Sequence, residues 1–338
     1  AEACLGGLSV FAGEPRSDES ILSGGSLTTA HFARSHNTHI LRGRAYLCYQ
    51  RGLMDWLEAW QPDLLVMEAN PRYLSSRQAI RWMRRGGRRV IGWGLGAPGA
   101  ARRGWRLWVL GRYLRGFDAL IAYSQTGAEQ YAALGFPQER IFVAHNAAAS
   151  APLEMPHRPP PAAGPGSVLY VGRLVAQKRV DLLLHACGSL TPRPRLVIIG
   201  DGPERRQLQR LARQVCPQAE FRGTQVGEAL QDCFRQAELF VLPGTGGLAL
   251  QQAMSQGLPL VAGRGDGTQA DLVTPDNGWI FERDEPAALA SALRQALADP
   301  ARLRRMGAES YRLVREEFNP EIMAEAFVRA FRSLSVDA

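Results

Sequence analysis

The sequence predicts an α/β protein made of two Rossmann-like halves, each a parallel sheet covered by helices. Three observations carry this reading. Short apolar runs alternate with helix-length amphipathic stretches along the whole chain, the pattern of strands joined by crossover helices. The chain has 338 residues, and a single core rarely grows beyond about 250–300. Near the middle the alternation stops, and prolines stand at 152, 156, 159, 160, 161 and 165.

Taken in order, apolar runs predict strands at 8–12, 64–68, 90–93, 120–124 and 141–144. Apolar residues spaced three and four apart predict helices at 46–60, 75–85, 102–115 and 126–134. Residues 18–44 lack clear periodicity and read as a long functional loop or a short irregular element. Proline lacks an amide hydrogen and fits neither a helix interior nor a central strand, so 151–166 is read as a linker between domains at 1–150 and 167–318. Beyond it, strands are expected at 167–171, 195–199, around Phe221, at 239–242 and at 258–262. Helices are expected at 178–187, 204–215, 226–237, 247–256, 286–297 and 301–316. A last helix, 320–334 within a closing segment 319–338, opens with Pro320 at its first position.

Hydrophobic residues make up 46% and charged residues 21% of the chain, as in ordinary globular proteins. No apolar run approaches the ~20 residues that cross a bilayer, and no signal-peptide pattern opens the chain. Cys4, Cys48, Cys187, Cys216 and Cys233 are dispersed without a C-x-x-C pair. That argues against a disulfide framework and a zinc cluster and for reduced thiols in a cytoplasmic protein.

The net charge of +8 favours a polyanionic partner: a nucleotide, a nucleic acid or an anionic membrane. Eleven arginines lie between 77 and 115 with no acidic residue before Asp118. Residues 101–117 combine five of them with Trp105 and Trp108. That segment reads either as a helix in an anionic membrane interface or as an ordinary sheet-covering helix. No helix-turn-helix or RNA-recognition signature accompanies the charge, so no nucleic acid is expected.

In a parallel sheet, ligands gather where loops leave the carboxyl ends of strands. Three such loops have phosphate chemistry. Gly172-Arg173-Leu174-Val175-Ala176-Gln177-Lys178 sets two cations five residues apart before a helix; Arg173 can grip a diphosphate with two parallel hydrogen bonds and Lys178 adds a point charge. Gly200-Asp201-Gly202-Pro203 is a tight turn that is weak evidence alone. Pro243-Gly244-Thr245-Gly246-Gly247-Leu248 lies between a strand and a helix, where glycines allow close backbone approach to an anion.

At these residues the chain resembles the retaining GT-B glycosyltransferases of family 4, the group 1 glycosyl transferases. The likeness runs through Val171-Gly172-Arg173-Leu174, Lys178, Asp181, Gly200-Asp201-Gly202-Pro203, Val241-Leu242-Pro243, Gly247-Leu248, Ala253-Met254, Gly257-Leu258-Pro259 and Asn277-Gly278. It implies two Rossmann-like domains facing across a cleft, with the last helix crossing back to the first. It implies sugar transfer from a UDP-sugar or GDP-sugar, with retained configuration and without cofactor or metal. The acceptor would be a hydroxyl of a glycan or glycolipid, such as a lipid-linked or envelope glycan, and the enzyme would be cytoplasmic, peripheral at the inner membrane face.

By the same resemblance, Arg173 and Lys178 hold the diphosphate as the glycosidic bond breaks, stabilising the charge that develops on the leaving group. Gly172, Gly244, Gly246, Gly247 and Leu248 line the donor, Gln252 reaches the ribose, and Gly223, Thr224 and Val226 lie near the base. Three departures stand out. Two family glutamates, eight positions apart, are replaced by Gly244 and Gln252; the usual first-domain histidine is replaced by Gly94 beside Trp93; and the first strand and glycine loop of the family should precede Leu8.

On the acceptor side, Glu68, Asn70 and Arg72 follow a strand directly. Glu68 and Arg72 read either as acceptor-binding groups or as a structural ion pair. Of the loop histidines His31, His36 and His39, His36 is the best replacement for the missing histidine; His145 lies near the hinge and His185 reads as packing. Two rival functions remain: a nucleotide-sugar-binding protein without turnover, and a GT-B sugar-nucleotide epimerase, which would need a carboxylate pair or histidine beside the sugar.

Overall fold

The computed structural model describes residues 7–14, 29–40, 46–97, 104–147, 150–158, 164–282 and 285–335. The chain forms two compact units, Ala1–Ala144 with Ala324–Ala338, and His145–Met323.

In the first unit, β1 (Ser9–Gly13) pairs in parallel with β2 (His31–Ser35), and β3 (Asn37–Ile40) pairs antiparallel with β4 (Leu47–Gln50). Two expectations are corrected here. The described part of 18–44 is not irregular but carries β2 and β3. The helix expected over 46–60 is a strand followed by the shorter α1 (Leu53–Trp60). Gly52, at φ 77, breaks the two apart, and the Cys48 amide donates to the Arg72 carbonyl at 2.9 Å, holding this stretch extended.

Next come β5 (Leu64–Glu68), α2 (Leu74–Arg85), β6 (Arg89–Gly94), α3 (Gly104–Leu114), β7 (Ala119–Ala122), α4 (Gln125–Ala133) and β8 (Ile141–Val143). The four strands form a parallel sheet in the order β5-β6-β7-β8. Val90, Ile91, Leu120 and Ile121 are fully buried within it, as expected where helices cover a parallel sheet. Ser124 caps α4, its hydroxyl accepting from the Gly127 amide at 3.0 Å.

A cavity of about 930 Å³ in this unit is bordered by all five residues of β1 and all five of β5. Successive residues of a strand point to opposite faces, so a space touching every one of them runs along the strand edges rather than over a face.

The second unit holds β9 (Ser167–Val171), α5 (Val180–Ser189), β10 (Arg195–Ile199), α6 (Arg205–Val215), β11 (Ala219–Gly223), α7 (Gly227–Gln236), β12 (Leu239–Leu242), α8 (Leu248–Ser255), β13 (Leu260–Gly263), α9 (Gln269–Leu272), β14 (Gly278–Phe281), α10 (Pro286–Leu297) and α11 (Pro300–Glu316). Its sheet is parallel throughout, in the order β11-β10-β9-β12-β13-β14. This is the doubly wound order, which reverses between β9 and β12. Strands β12 and β13 are buried at every position, and α5 buries Leu182, Leu183 and Leu184 together. Two elements lie outside those expected from the apolar pattern, α9 and β14, each four residues long.

Arg158 fixes the segment before β9. Its guanidinium donates to the Phe234 carbonyl at 3.3 Å, the Gln256 carbonyl at 3.1 Å and the Ala237 carbonyl, closing the carbonyl ends of α7 and α8. Burial lowers its pKa to about 10. The last helix, α12 (Pro320–Ser335), enters the first unit at Ala324, where Phe327 meets Trp93 edge-on with centroids 5.3 Å apart.

Candidate donor site

The reversal of strand order in the second unit falls between β9 and β12, and at the carboxyl ends of such a pair doubly wound sheets take ligands. The loops that leave these two strands are the Gly172–Lys178 segment and the Pro243–Leu248 segment. The sequence assigned phosphate binding to both, and the fold brings them side by side.

Lys178 ends a 3-10 turn, Ala176–Lys178, instead of opening a helix. Its ammonium reaches across to donate to the Thr245 carbonyl at 2.5 Å, and a side-chain carbon built on Gly246 would lie 2.5 Å from its nitrogen. The Thr245 amide donates back to the Gln177 carbonyl at 3.1 Å. The cation is thus fixed against the glycine corner. Its pKa is lowered, first by burial and also by the positive charge of Arg173, while Asp266 opposes the shift. Arg173 itself is exposed, with its backbone carbonyl held by the Tyr170 hydroxyl at 3.0 Å.

Gly244 does not line open space. It is buried, and a side-chain carbon there would lie 2.0 Å from the Gln177 carbonyl oxygen. The corner therefore has no room for a larger residue at this position: the backbone of 177–178 occupies the place of a side chain. Gly246 and Gly247 are half-buried and Leu248 is exposed at the start of α8. Gln252 sits one helical turn on, half-buried, with Gln251 fully turned inward, donating to the Asn146 carbonyl at 2.7 Å.

The Gly200–Pro203 turn braces rather than lines the corner. The Leu174 amide donates to the Asp201 carbonyl at 2.8 Å and the Gly172 amide to the Ile199 carbonyl at 3.0 Å. Farther along the sheet edge, Gly223 ends β11, and Thr224 and Val226 are exposed. Glu220 is clamped between Arg195 at 2.8 Å and Arg222 at 2.7 Å; the hydrogen bond from Arg195, ahead of that from Arg222, holds its carboxyl at about 2.

Three residues missed in the sequence complete the corner. Gln269, fully buried, donates to the Gly246 carbonyl at 2.9 Å and accepts from the Asp266 amide at 3.1 Å. Asp266 accepts from the Thr268 hydroxyl at 2.6 Å. Asp271 binds the His145 Nε2 at 2.8 Å, tying the first residues of this unit to α9. All lie in or beside the short helix that the periodicity did not reveal; the alternating glycines 263, 265 and 267 around Asp266, followed by Thr268 and Gln269, were the available signal.

In the first unit, Glu68 ends β5 and accepts from the Asn70 amide group at 3.1 Å, while the Asn70 side chain accepts from the Arg72 amide at 3.1 Å. Of the two readings for Glu68 and Arg72, the ion pair is not formed among the described residues. Gly94 is a packing position, since a side-chain carbon there would lie 2.7 Å from the Tyr131 hydroxyl; an imidazole would collide with Tyr131. Trp93 packs edge-on against Tyr123 at 5.2 Å, and its buried indole N–H has no hydrogen-bond partner among the described residues. His31 and His39 are engaged with Ser9 at 3.1 Å and Tyr46 at 2.9 Å, whereas His36 lies exposed between β2 and β3. His185, expected to pack, is exposed on α5.

Residues 101–103, at the start of the segment proposed for a membrane surface, lie outside the described residues. Within α3, Trp108 is 64% exposed while Tyr113 and Leu114 are buried, so the helix turns its last residues into the core. Among the described residues no helix is long and apolar enough to cross a membrane.

Two family models match the chain: one described as glycosyl transferases group 1 over residues 156–313, and a glycosyl transferase 4-like domain over residues 9–147. Among curated proteins, it is 33% identical over 216 residues to a GDP-mannose-dependent alpha-mannosyltransferase of Mycobacterium tuberculosis, covering 59% of this chain and 54% of the relative. It is 34% identical over 139 residues to the sulfoquinovosyl transferase SQD2 of Arabidopsis thaliana, covering 39% and 26%. The chain spans about half or less of the length of these relatives.

Among solved structures, a sucrose-phosphate synthase from Thermosynechococcus elongatus superposes with a TM-score of 0.74 at 20% identity, covering 97% of this chain and 89% of that one. The lipopolysaccharide outer core galactosyltransferase WaaB superposes with a TM-score of 0.67, also at 20% identity, covering 90% and 85%. These likenesses show the fold, which is of the GT-B type. Two family models, over residues 9–147 and 156–313, on a doubly wound sheet in the second unit, place the chain in the group 1 glycosyltransferases.

Proposed function

We propose that this chain moves a sugar from a nucleotide diphosphate to a hydroxyl of a glycan or glycolipid, with retained configuration and without a metal. The observation that carries the reading is Lys178, its ammonium held at the Thr245–Gly246 corner with Arg173 on the neighbouring loop. Two cations beside the point where a diphosphate leaves supply the charge stabilisation that a metal ion supplies elsewhere. Curated relatives named for GDP-mannose support a GDP-sugar, and solved neighbours bound to UDP support a UDP-sugar. A membrane-bound acceptor is favoured by exposed Trp108 on the arginine-flanked α3, which would set the protein peripherally at the inner membrane face.

The rival reading, a binder without turnover, draws on the replacement of the family glutamates. Labelled UDP- and GDP-sugars incubated with and without glycolipid acceptors distinguish the two. Transfer or donor hydrolysis that falls about 10²–10³-fold in Arg173→Ala and Lys178→Ala supports the enzyme. Tight binding with no turnover under any acceptor supports the binder.

A further inference from the structure

We propose that Asp266 is a specificity-determining residue of the donor corner, its carboxylate receiving hydroxyl hydrogens of the donor sugar. The inference rests on the nucleotide-sugar reading above and says which side chain reads the sugar.

Asp266 lies on the loop leaving β13, the strand next to β12, so it rises from the same edge of the sheet as the cationic corner. Its place is fixed from both sides. Gln269, with no exposed surface, accepts from the Asp266 amide and donates to the Gly246 carbonyl, locking this loop to the glycine corner. Gly246 is in turn the residue against which the Lys178 ammonium rests. One carboxylate oxygen accepts from the Thr268 amide at 3.2 Å and hydroxyl at 2.6 Å; the other, Oδ2, has no hydrogen-bond partner among the described residues. Asp266 is close enough for its charge to favour the protonated form of Lys178. No ion pair joins the two among the described residues, so the acid is not spent on neutralising the cation.

The other acidic groups around these strand ends are committed elsewhere. Asp201 is held by the Gly202 amide at 2.7 Å and Arg205 at 2.6 Å, and Asp181 by Arg179 at 3.2 Å. The loop after β12 brings no side chain at Gly244, where backbone fills the space. An ionised carboxylate is acceptor-only, and a sugar presents rows of hydroxyl donors. A diphosphate on Lys178 and Arg173 would carry its sugar beside the open oxygen of Asp266.

Asp266→Asn is the test, since an amide oxygen retains the bond from Thr268 while the charge is lost. Affinities for UDP, GDP, UDP-glucose, UDP-galactose and GDP-mannose are measured by calorimetry on the whole chain, together with the thermal midpoint. The expected result is an unchanged midpoint, free-nucleotide affinity within about twofold, and affinity for the preferred nucleotide sugar weakened about 10- to 100-fold, the worth of a hydrogen bond to a charged group. Deoxy analogues of that sugar should lose affinity in the unaltered protein, and one of them should lose little more in the variant. Equal losses for nucleotide and nucleotide sugar, or no loss for either, overturn the proposal while leaving the corner intact as a nucleotide site. Binding of no nucleotide by the unaltered chain overturns the donor-site reading and this proposal with it.

Discussion

The two units use the same βα alternation to different effect. In the second, six strands share one continuous parallel sheet, and β12 and β13 are wholly enclosed. In the first, the described strands fall into three separate sheets of two, two and four, and every residue of β1 is only half-buried. The unit that carries the cationic corner is the one whose core is continuous. Holding the Lys178 ammonium against a glycine corner demands loops that cannot drift, and loops inherit their rigidity from the strands they leave.

The largest expected effect tests that contrast directly. Phe240→Ala empties a fully buried site in β12 and should cost about 4 kcal/mol. Phe11→Ala, in half-buried β1 against Trp56, should cost less than half as much. Denaturant unfolding followed separately for each unit measures both, and equal losses would erase the distinction. Gly244→Ala should destabilise the second unit by about 3 kcal/mol, because the added carbon meets the Gln177 backbone, and should weaken nucleotide binding with it. Arg158→Ala should cost about 2 kcal/mol by leaving carbonyls of α7 and α8 without their partner, without changing nucleotide affinity measured well below the melting point.

The smallest effect is one of pH. Lys178 has a folded pKa below its ordinary value, chiefly through burial. Below the folded pKa both folded and unfolded chains carry the proton, and the cost of burying the charge is fully present. As pH rises from the folded towards the unfolded value that cost is relieved, so this group makes the fold more stable in alkali while donor binding weakens. Nucleotide affinity followed from pH 7 to 10.5 should therefore decline earlier than an ordinary lysine would allow. Lys178→Arg, if it binds, should hold its affinity over the same range because a guanidinium keeps its proton.

Much of the second unit was legible because its strands are uninterrupted apolar runs such as 239–242, and its helices keep a clear apolar stripe. Boundaries there shift by a residue or two, as at β13. The corner was legible through Arg173, Lys178 and their glycines, which are local patterns. Its completion by Gln269 and Asp266 was not, since it depends on which strands become neighbours. In the first unit, residues 46–60 misled because apolar spacing suited a helix, while tertiary pairing of Cys48 with the Tyr73 region held Leu47–Gln50 as a strand. Gly94 looked like a lost catalytic position in one dimension; in three it is the clearance for Tyr131.

The elongated void between β1 and β5 has a consequence for the amide protons that border it. Each strand flanking it has a neighbour on one side, β2 and β6 respectively, and among the described strands none on the other. An extended segment entering there would find donors and acceptors on both flanks. Until something does, deuterium should reach the outward-facing amides of 9–13 and 64–68 sooner than those of 239–242, which lie between two strands.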